Sequence, residues 1–190
     1  MKIWHKIIRR FFRVFASYTH PTMLPLKKNF QGKNLINTRI SSSTFIDHKE
    51  MLFLSDNIYI GHYNFIEASH NIFIEEGVQI TNSVSITTHS SHHSIRLYGK
   101  HYTEFKDKIG YIKGEIKIGA YTFVGPYSLI MPGTVIGKGC IVAAYSQVKG
   151  NFPDYSIIVG NPAKVVGNTK DKDNDFLEKH PELRAYYYDD

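Results

Sequence analysis

From residue 118 onward, large aliphatic side chains recur at every sixth position: Ile118, Val124, Ile130, Ile136, Val142 and Val148. Two places before the last five of these stands a small residue, in turn Thr122, Ser128, Thr134, Cys140 and Ser146. A period of six matches neither the 3.6 of an amphipathic helix nor the 2 of one long strand, but it suits short strands separated by turns. Three hexads then close one triangular coil of about 18 residues, and stacked coils pair their strands in parallel, each edge covered by the next coil. One large and one small inward position per hexad is what a narrow interior accepts.

The same period runs through Leu54, Ile60, Ile66 and Ile72, then resumes two residues out of phase at Ile74, Ile80 and Ile86. That slip predicts a longer corner near Phe73. Ile40 and Ile46 start the first coil. Between Ile86 and Ile118 the pattern is broken by a polar, aromatic and basic stretch, read as a loop inserted at one corner over 92–115. The expected organisation is an N-terminal basic amphipathic helix within 1–20, a β-helix over 34–167, and a C-terminal tail over 168–190 with a short helix broken at Pro181.

Composition narrows the partners. The chain has 190 residues and a formal net charge of +6, which points to an anionic partner such as a phosphorylated cofactor, an acidic glycan or a membrane surface. A single cysteine, Cys140, excludes disulfide frameworks and multi-cysteine zinc sites. Lys6, Arg9, Arg10 and Arg13 interrupt the apolar run of the first 15 residues, so neither a secretion signal nor a membrane span is expected. The expected location is cytoplasmic, at the inner face of the membrane if residues 2–15 dock there. No nucleic-acid partner is expected.

The hexads, followed by FPDYSIIVGNPAKVVG and preceded by VSITTHSSHHSIR, resemble the hexapeptide-repeat acetyltransferases, particularly the galactoside, maltose and nodulation-factor group. The resemblance covers about residues 54 to 167. It implies a left-handed parallel β-helix, a homotrimer, acetyl-CoA as co-substrate without a metal, and a carbohydrate hydroxyl as acceptor. His89 matches the family's general base, a task suited to imidazole. Glu67 stands where relatives carry an acceptor-positioning Asn, and His92, His93 and Arg96 complete the acceptor side. Phe123, Gly125, Ala143 and Ala144 match the wall along the pantetheine arm. Lys149 and Lys164, the latter presented by Asn161 and Pro162, match the surroundings of the nucleotide phosphates.

One departure concerns the oxyanion. Where relatives offer a main-chain N–H, this chain has Pro126, which has none, leaving the amides of Gly125 and Tyr127 as candidates. Three other readings share the scaffold: N-acetylation of a nucleotide-linked amino sugar, a γ-type carbonic anhydrase using three of His70, His89, His92 and His93, and a non-catalytic binding solenoid. The carbonic anhydrase reading is disfavoured because His89, His92 and His93 crowd one corner while His70 falls out of register with His89.

Overall fold

The computed structural model describes residues 4, 6–11 and 20–188. The chain winds through three strand faces in fixed order. Face A stacks Arg39–Ser41, Tyr59–Ile60, Gln79–Ile80, Phe123–Val124, Ile141–Val142 and Ser156–Gly160. Face B stacks Phe45–Asp47, Phe65–Glu67, Ser85–Thr87, Leu129–Ile130 and Gln147–Val148, and face C stacks Leu52–Leu54, Ile72–Ile74, Ile116–Ile118, Val135–Ile136 and Asn151–Phe152. All these neighbours pair in parallel, with Ile60 on Ile80 on Val124 and Ile66 on Ile86 on Ile130.

The hexad aliphatics point inward as the spacing predicts. Ile118, Val124, Ile130, Ile136, Val142 and Val148 are all buried in one core cluster, each removing about 1.5–3 kcal/mol worth of apolar surface from water. The small series is buried too and meets the backbone at the corners. Thr122 Oγ1 donates to the Gly137 carbonyl at 2.9 Å, Ser128 Oγ to Ala143 at 3.0 Å, and Thr134 Oγ1 to Met131 at 2.7 Å. A hydroxyl at these positions fills the narrow interior and satisfies a carbonyl that a larger side chain would cover. Cys140 is buried in the same series as filler, and burial raises its thiol pKa.

The two-residue slip has a different origin from the expected longer corner. Every upstream strand on face C is three residues long and turns two side chains inward, Leu52 with Leu54, Ile72 with Ile74, Ile116 with Ile118. The upstream coils therefore repeat every 20 residues, as the pairings of Ile40, Ile60 and Ile80 show. The extra residue pair widens the face instead of bulging at its end. Between the two inward side chains an outward one remains, and Phe53 and Phe73 stack there at 4.7 Å with Lys117 beyond them.

Both ends of the solenoid are covered. At the N-terminal end Met23–Pro25 pairs antiparallel with Arg39–Ser41, and Leu26 and Phe30 pack on the core. Asp56 ties this cap down by accepting from the amides of Ile36 and Asn37 and the Thr38 hydroxyl. At the other end Ser156–Gly160 turns through a cis Asn161–Pro162 bond into the antiparallel strand Ala163–Asn168. A helix, Thr169–Lys179, follows, capped by the Asn168 side chain, and it stops before Pro181. Of the segment 1–20 expected to hold the N-terminal helix, residues 4 and 6–11 are helical, His20 is not, and the others lie outside the described residues.

The inserted segment is more ordered than a loop. Thirty positions separate Ile86 from Ile116, where the preceding coil crosses from Ile66 to Ile72 in six. The excess folds as a strand His89–Ser90, a helix Ser94–Tyr98, a 3-10 segment Gly99–Glu104 and a returning strand Ile112–Lys113 paired antiparallel with the first.

Candidate active site

The corner between faces B and C collects the chemistry. Glu67 ends its face B strand directly over Thr87, so the carboxylate of one coil lies against the residues leaving the next. Glu67 Oε1 accepts from the Ser69 amide at 2.8 Å, while Oε2 accepts from the Thr88 amide at 3.0 Å and the Thr88 hydroxyl at 2.8 Å. His89 Nδ1 reaches the same Oε2 at 2.8 Å. Burial pushes the Glu67 carboxyl up, but the hydrogen bonds from Ser69 and Thr88 outweigh it and hold its pKa down at about 2. An ionised carboxylate only accepts hydrogen bonds. His89 therefore donates from Nδ1, and in the neutral ring this tautomer leaves Nε2 with a free lone pair. The His89 side chain is 36% exposed, against 6% for Glu67, so the imidazole faces outward with its carboxylate behind it.

Glu67 thus stands elsewhere than expected from the Asn comparison. It is buried behind His89, with both oxygens committed to hydrogen bonds. His70 is likewise closer than its register suggests. Its ring centroid is 6.4 Å from that of His89, and Ser69 Oγ lies 2.9 Å from His70 Nδ1 and 3.4 Å from His89 Nδ1. Burial, with Lys113 adding to it, lowers the His70 pKa, which favours the neutral ring. Among the described residues no group of three or more His, Cys, Asp or Glu is placed to hold a metal.

The insertion shields His89 from a second side. Tyr111 stacks on the imidazole with centroids 5.5 Å apart and planes 12° from parallel. His92 and His93 immediately precede the inserted helix, with rings 4.1 Å apart. Arg96 donates to the His92 carbonyl and to His93 Nδ1, the latter at 3.2 Å. These three expected acceptor residues are exposed. Sequence reading missed Tyr111 as a partner of His89, and only the hairpin pairing brings it there.

The expected cofactor residues fall into three places. Phe123 is outward and partly exposed on face A, with Gly125 just beyond it at the corner toward face B. A side chain at Gly125 would meet Ala144 N at 2.7 Å and Val142 O at 2.8 Å, so this corner must stay bare for Ala143 and Ala144 to stack beneath it. Asn161, Pro162 and Lys164 are exposed on the C-terminal hairpin along the edge of face A. Lys149 departs from this group: it lies past the face B strand Gln147–Val148, and its charge is among those lowering the His92 pKa after burial, His93 and Arg96. Neither substitute for the missing Pro126 amide is free. Gly125 N donates to Val142 O at 2.8 Å and Tyr127 N to Asn82 O at 3.2 Å, so within the solenoid both are used.

Comparison with known proteins follows the same lines. Residues 115–150 match the family described as bacterial transferase hexapeptide (six repeats). These residues carry the hexapeptide repeat that the family is described by. It is 30% identical over 119 residues to Escherichia coli WbbJ, which bears the name of a lipopolysaccharide biosynthesis O-acetyl transferase; the match covers 61% of this chain and 60% of WbbJ. A Staphylococcus aureus protein bearing the name acetyltransferase is 32% identical over 136 residues, covering 68% of this chain and 61% of its own length. The chain thus spans about 60% of the length of these two relatives, and only 20% of a mycobacterial one that is 48% identical over 59 residues. Among solved structures, a maltose O-acetyltransferase from Clostridium difficile aligns with a TM-score of 0.58 at 21% identity, covering 67% of this chain and 64% of that one. The N-acyltransferase AntD of Bacillus cereus, in complex with dTDP and coenzyme A, aligns with a TM-score of 0.57 at 19% identity over 76% of this chain and 90% of its own. The shared fold is the left-handed parallel β-helix.

Proposed function

We propose that the protein transfers the acetyl group of acetyl-CoA to a sugar hydroxyl of a bacterial surface polysaccharide or its precursor, with His89 as general base. The observation that carries this reading is the Glu67–His89 pair, in which a buried, ionised carboxylate fixes the imidazole tautomer and leaves Nε2 turned outward. As the acceptor oxygen attacks the thioester carbon, Nε2 takes the hydroxyl proton. The tetrahedral intermediate collapses with cleavage of the C–S bond, and the proton passes from His89 to the departing CoA thiolate. Glu67 stabilises the transient imidazolium and keeps its charge throughout. The name of WbbJ supports a hydroxyl acceptor, whereas that of AntD is an N-acyltransferase's and keeps an amino-sugar acceptor as the second reading.

In this proposal the protein works as a homotrimer in the cytoplasm. The base stands at the corner between faces B and C, whereas Phe123, Gly125, Ala143 and Ala144 lie on face A and its corner with face B. A groove holding both sets draws its two walls from neighbouring copies. Near the N-terminus, Trp4, Ile7, Ile8 and Phe11 are exposed beside Lys6, Arg9 and Arg10, a composition suited to an anionic membrane surface. Among the described residues no helix is long and apolar enough to cross a membrane.

The deciding experiment is release of free CoA from acetyl-CoA in the presence of acidic, neutral and amino-sugar glycans, run beside His89→Ala. Acceptor-dependent release that disappears in the variant is expected. Equal release by both proteins removes His89 from the chemistry, and release with amino sugars alone turns the reading toward N-acetylation.

A further inference from the structure

The insertion encloses a cavity of about 400 Å³ lined by His70, Tyr102, Lys106, Asp107, Lys108, Tyr111 and Lys113. Two of these residues join it to the base. Tyr111 stacks on His89 with one face, and His70 is linked to His89 through the Ser69 hydroxyl. A third link is positional: in the antiparallel hairpin Lys113 stands directly opposite His89. Directly opposed residues of such a pair project to the same face with Cβ atoms about 4.5–5.5 Å apart. The cavity and the base are thus parts of one site.

Charge sets what the cavity holds. Three ammonium groups face one carboxylate, Asp107, and among the described residues none of the three lysines is in a salt bridge. Lys108 is steadied over the Tyr102 ring at 4.5 Å and donates to the Phe105 carbonyl, while Lys106 and Lys113 are exposed. The Glu67 carboxylate cannot offset them, being buried behind His89 and filled with donors. Tyr102 and Tyr111 add flat apolar surfaces of the kind that stack on sugar rings.

We propose that this cavity binds an anionic group of the acceptor, a carboxylate or phosphate carried by the sugar that presents its hydroxyl to His89, with Lys106 and Lys113 as the charge-reading residues. The proposal rests on the transferase reading and specifies its substrate class. Lys113, opposite the base, reads the charge nearest the reacting hydroxyl, and Lys106 adds a second ammonium group to the lining. Specificity then resides in the insertion and the base in the solenoid.

The test measures binding separately from turnover. Saturation-transfer NMR on the full chain without acetyl-CoA compares methyl glucuronide, its methyl ester, methyl glucoside and glucose 1-phosphate, and CoA release is then followed with the same four sugars. The carboxylate or the phosphate is expected to bind at least about tenfold more tightly than the two neutral sugars, the equivalent of one charge-assisted contact. Lys106→Ala and Lys113→Ala should each remove most of that preference and raise KM for the anionic acceptor with little change in kcat, and Lys113→Arg should restore it. Thermal melts confirm that the variants fold. Equal binding of charged and neutral sugars, or a preference untouched by both lysine variants, overturns the proposal. Charge-dependent binding without acetyl transfer to any of the four would overturn the hydroxyl-acceptor reading while leaving the anion site standing. Which of the two anions binds identifies the acidic group.

Discussion

His89 Nδ1 lies 2.8 Å from Glu67 Oε2, across two successive coils and 22 positions apart in the chain. The contact follows from the 20-residue repeat: the strand carrying Glu67 stacks on the one leading to His89, and the next corner swings the imidazole back over the carboxylate. In Glu67→Gln the amide can still accept from Thr88 but can also donate to Nδ1, which drives the imidazole proton to Nε2 and blocks the base. We expect kcat to fall by about 10²–10⁴-fold with KM nearly unchanged. Steady-state kinetics on the purified variant check this, and a fall below tenfold would show that Glu67 does not set the tautomer.

Acid stability should follow the depressed carboxylates. Burial acts against ionisation of Asp56 and Glu67, but their hydrogen bonds prevail and bring each folded pKa to about 2. A group whose folded pKa is lowered adds stability above its unfolded pKa and loses it as pH falls toward the folded value. The melting temperature should therefore change little through these groups above about pH 5 and drop between about pH 4.5 and 2. Asp56→Asn, which leaves the base pair intact, should flatten that drop in calorimetric scans.

Tyr111 packs flat on His89. Stacking of this kind contributes about 0.5–1.5 kcal/mol, so Tyr111→Ala should lower kcat/KM by roughly 2- to 10-fold while Tyr111→Phe stays near wild type. A loss of similar size in Tyr111→Phe would show that the hydroxyl and not the ring is what matters.

Gly125 has backbone on all sides of its missing side chain. A methyl group there would press on Ala144 N and Val142 O, so Gly125→Ala should cost about 1–3 kcal/mol and lower the melting temperature by several degrees. Gly133, with φ of 78° and no atom within 4 Å of an added Cβ, offers the contrast. Gly133→Asn should shift the melting temperature by less than half as much, because Asn tolerates the left-handed conformation.

The solenoid was legible because its period is independent of any one side chain: six aliphatics in strict register leave one way to bury them. The phase slip was visible too, but sequence could not tell a longer corner from a wider face, since both add two residues. Register alone could not show the partners of His89: even with the slip counted, Glu67 aligns with Thr87 and His70 with Ser90, and it is side-chain reach across the corner that brings both to His89. Tyr111 and Lys113 could not be placed at all, because the insertion has no periodicity and its geometry comes from a two-residue antiparallel pairing. Lys149 was drawn toward the phosphates by family resemblance, while the fold carries it round to the corner of His92.

Five of the corners are turned by tyrosine. Tyr63, Tyr121, Tyr127, Tyr145 and Tyr155 all have φ between 56° and 64°, a conformation that Gly or Asn adopts at little cost. At about 1 kcal/mol each, the five together forgo on the order of 5 kcal/mol, comparable with the whole net stability of many domains. Some of this returns through ring contacts, as in the stack of Tyr127 on Tyr145 at 5.0 Å and of Tyr121 against Tyr188 at 4.6 Å. Among the described residues Tyr63 has one ring contact, the tilted His62 ring at 6.2 Å. The solenoid thus holds unspent thermostability in its turns, reachable by substitutions that touch neither the core nor the base.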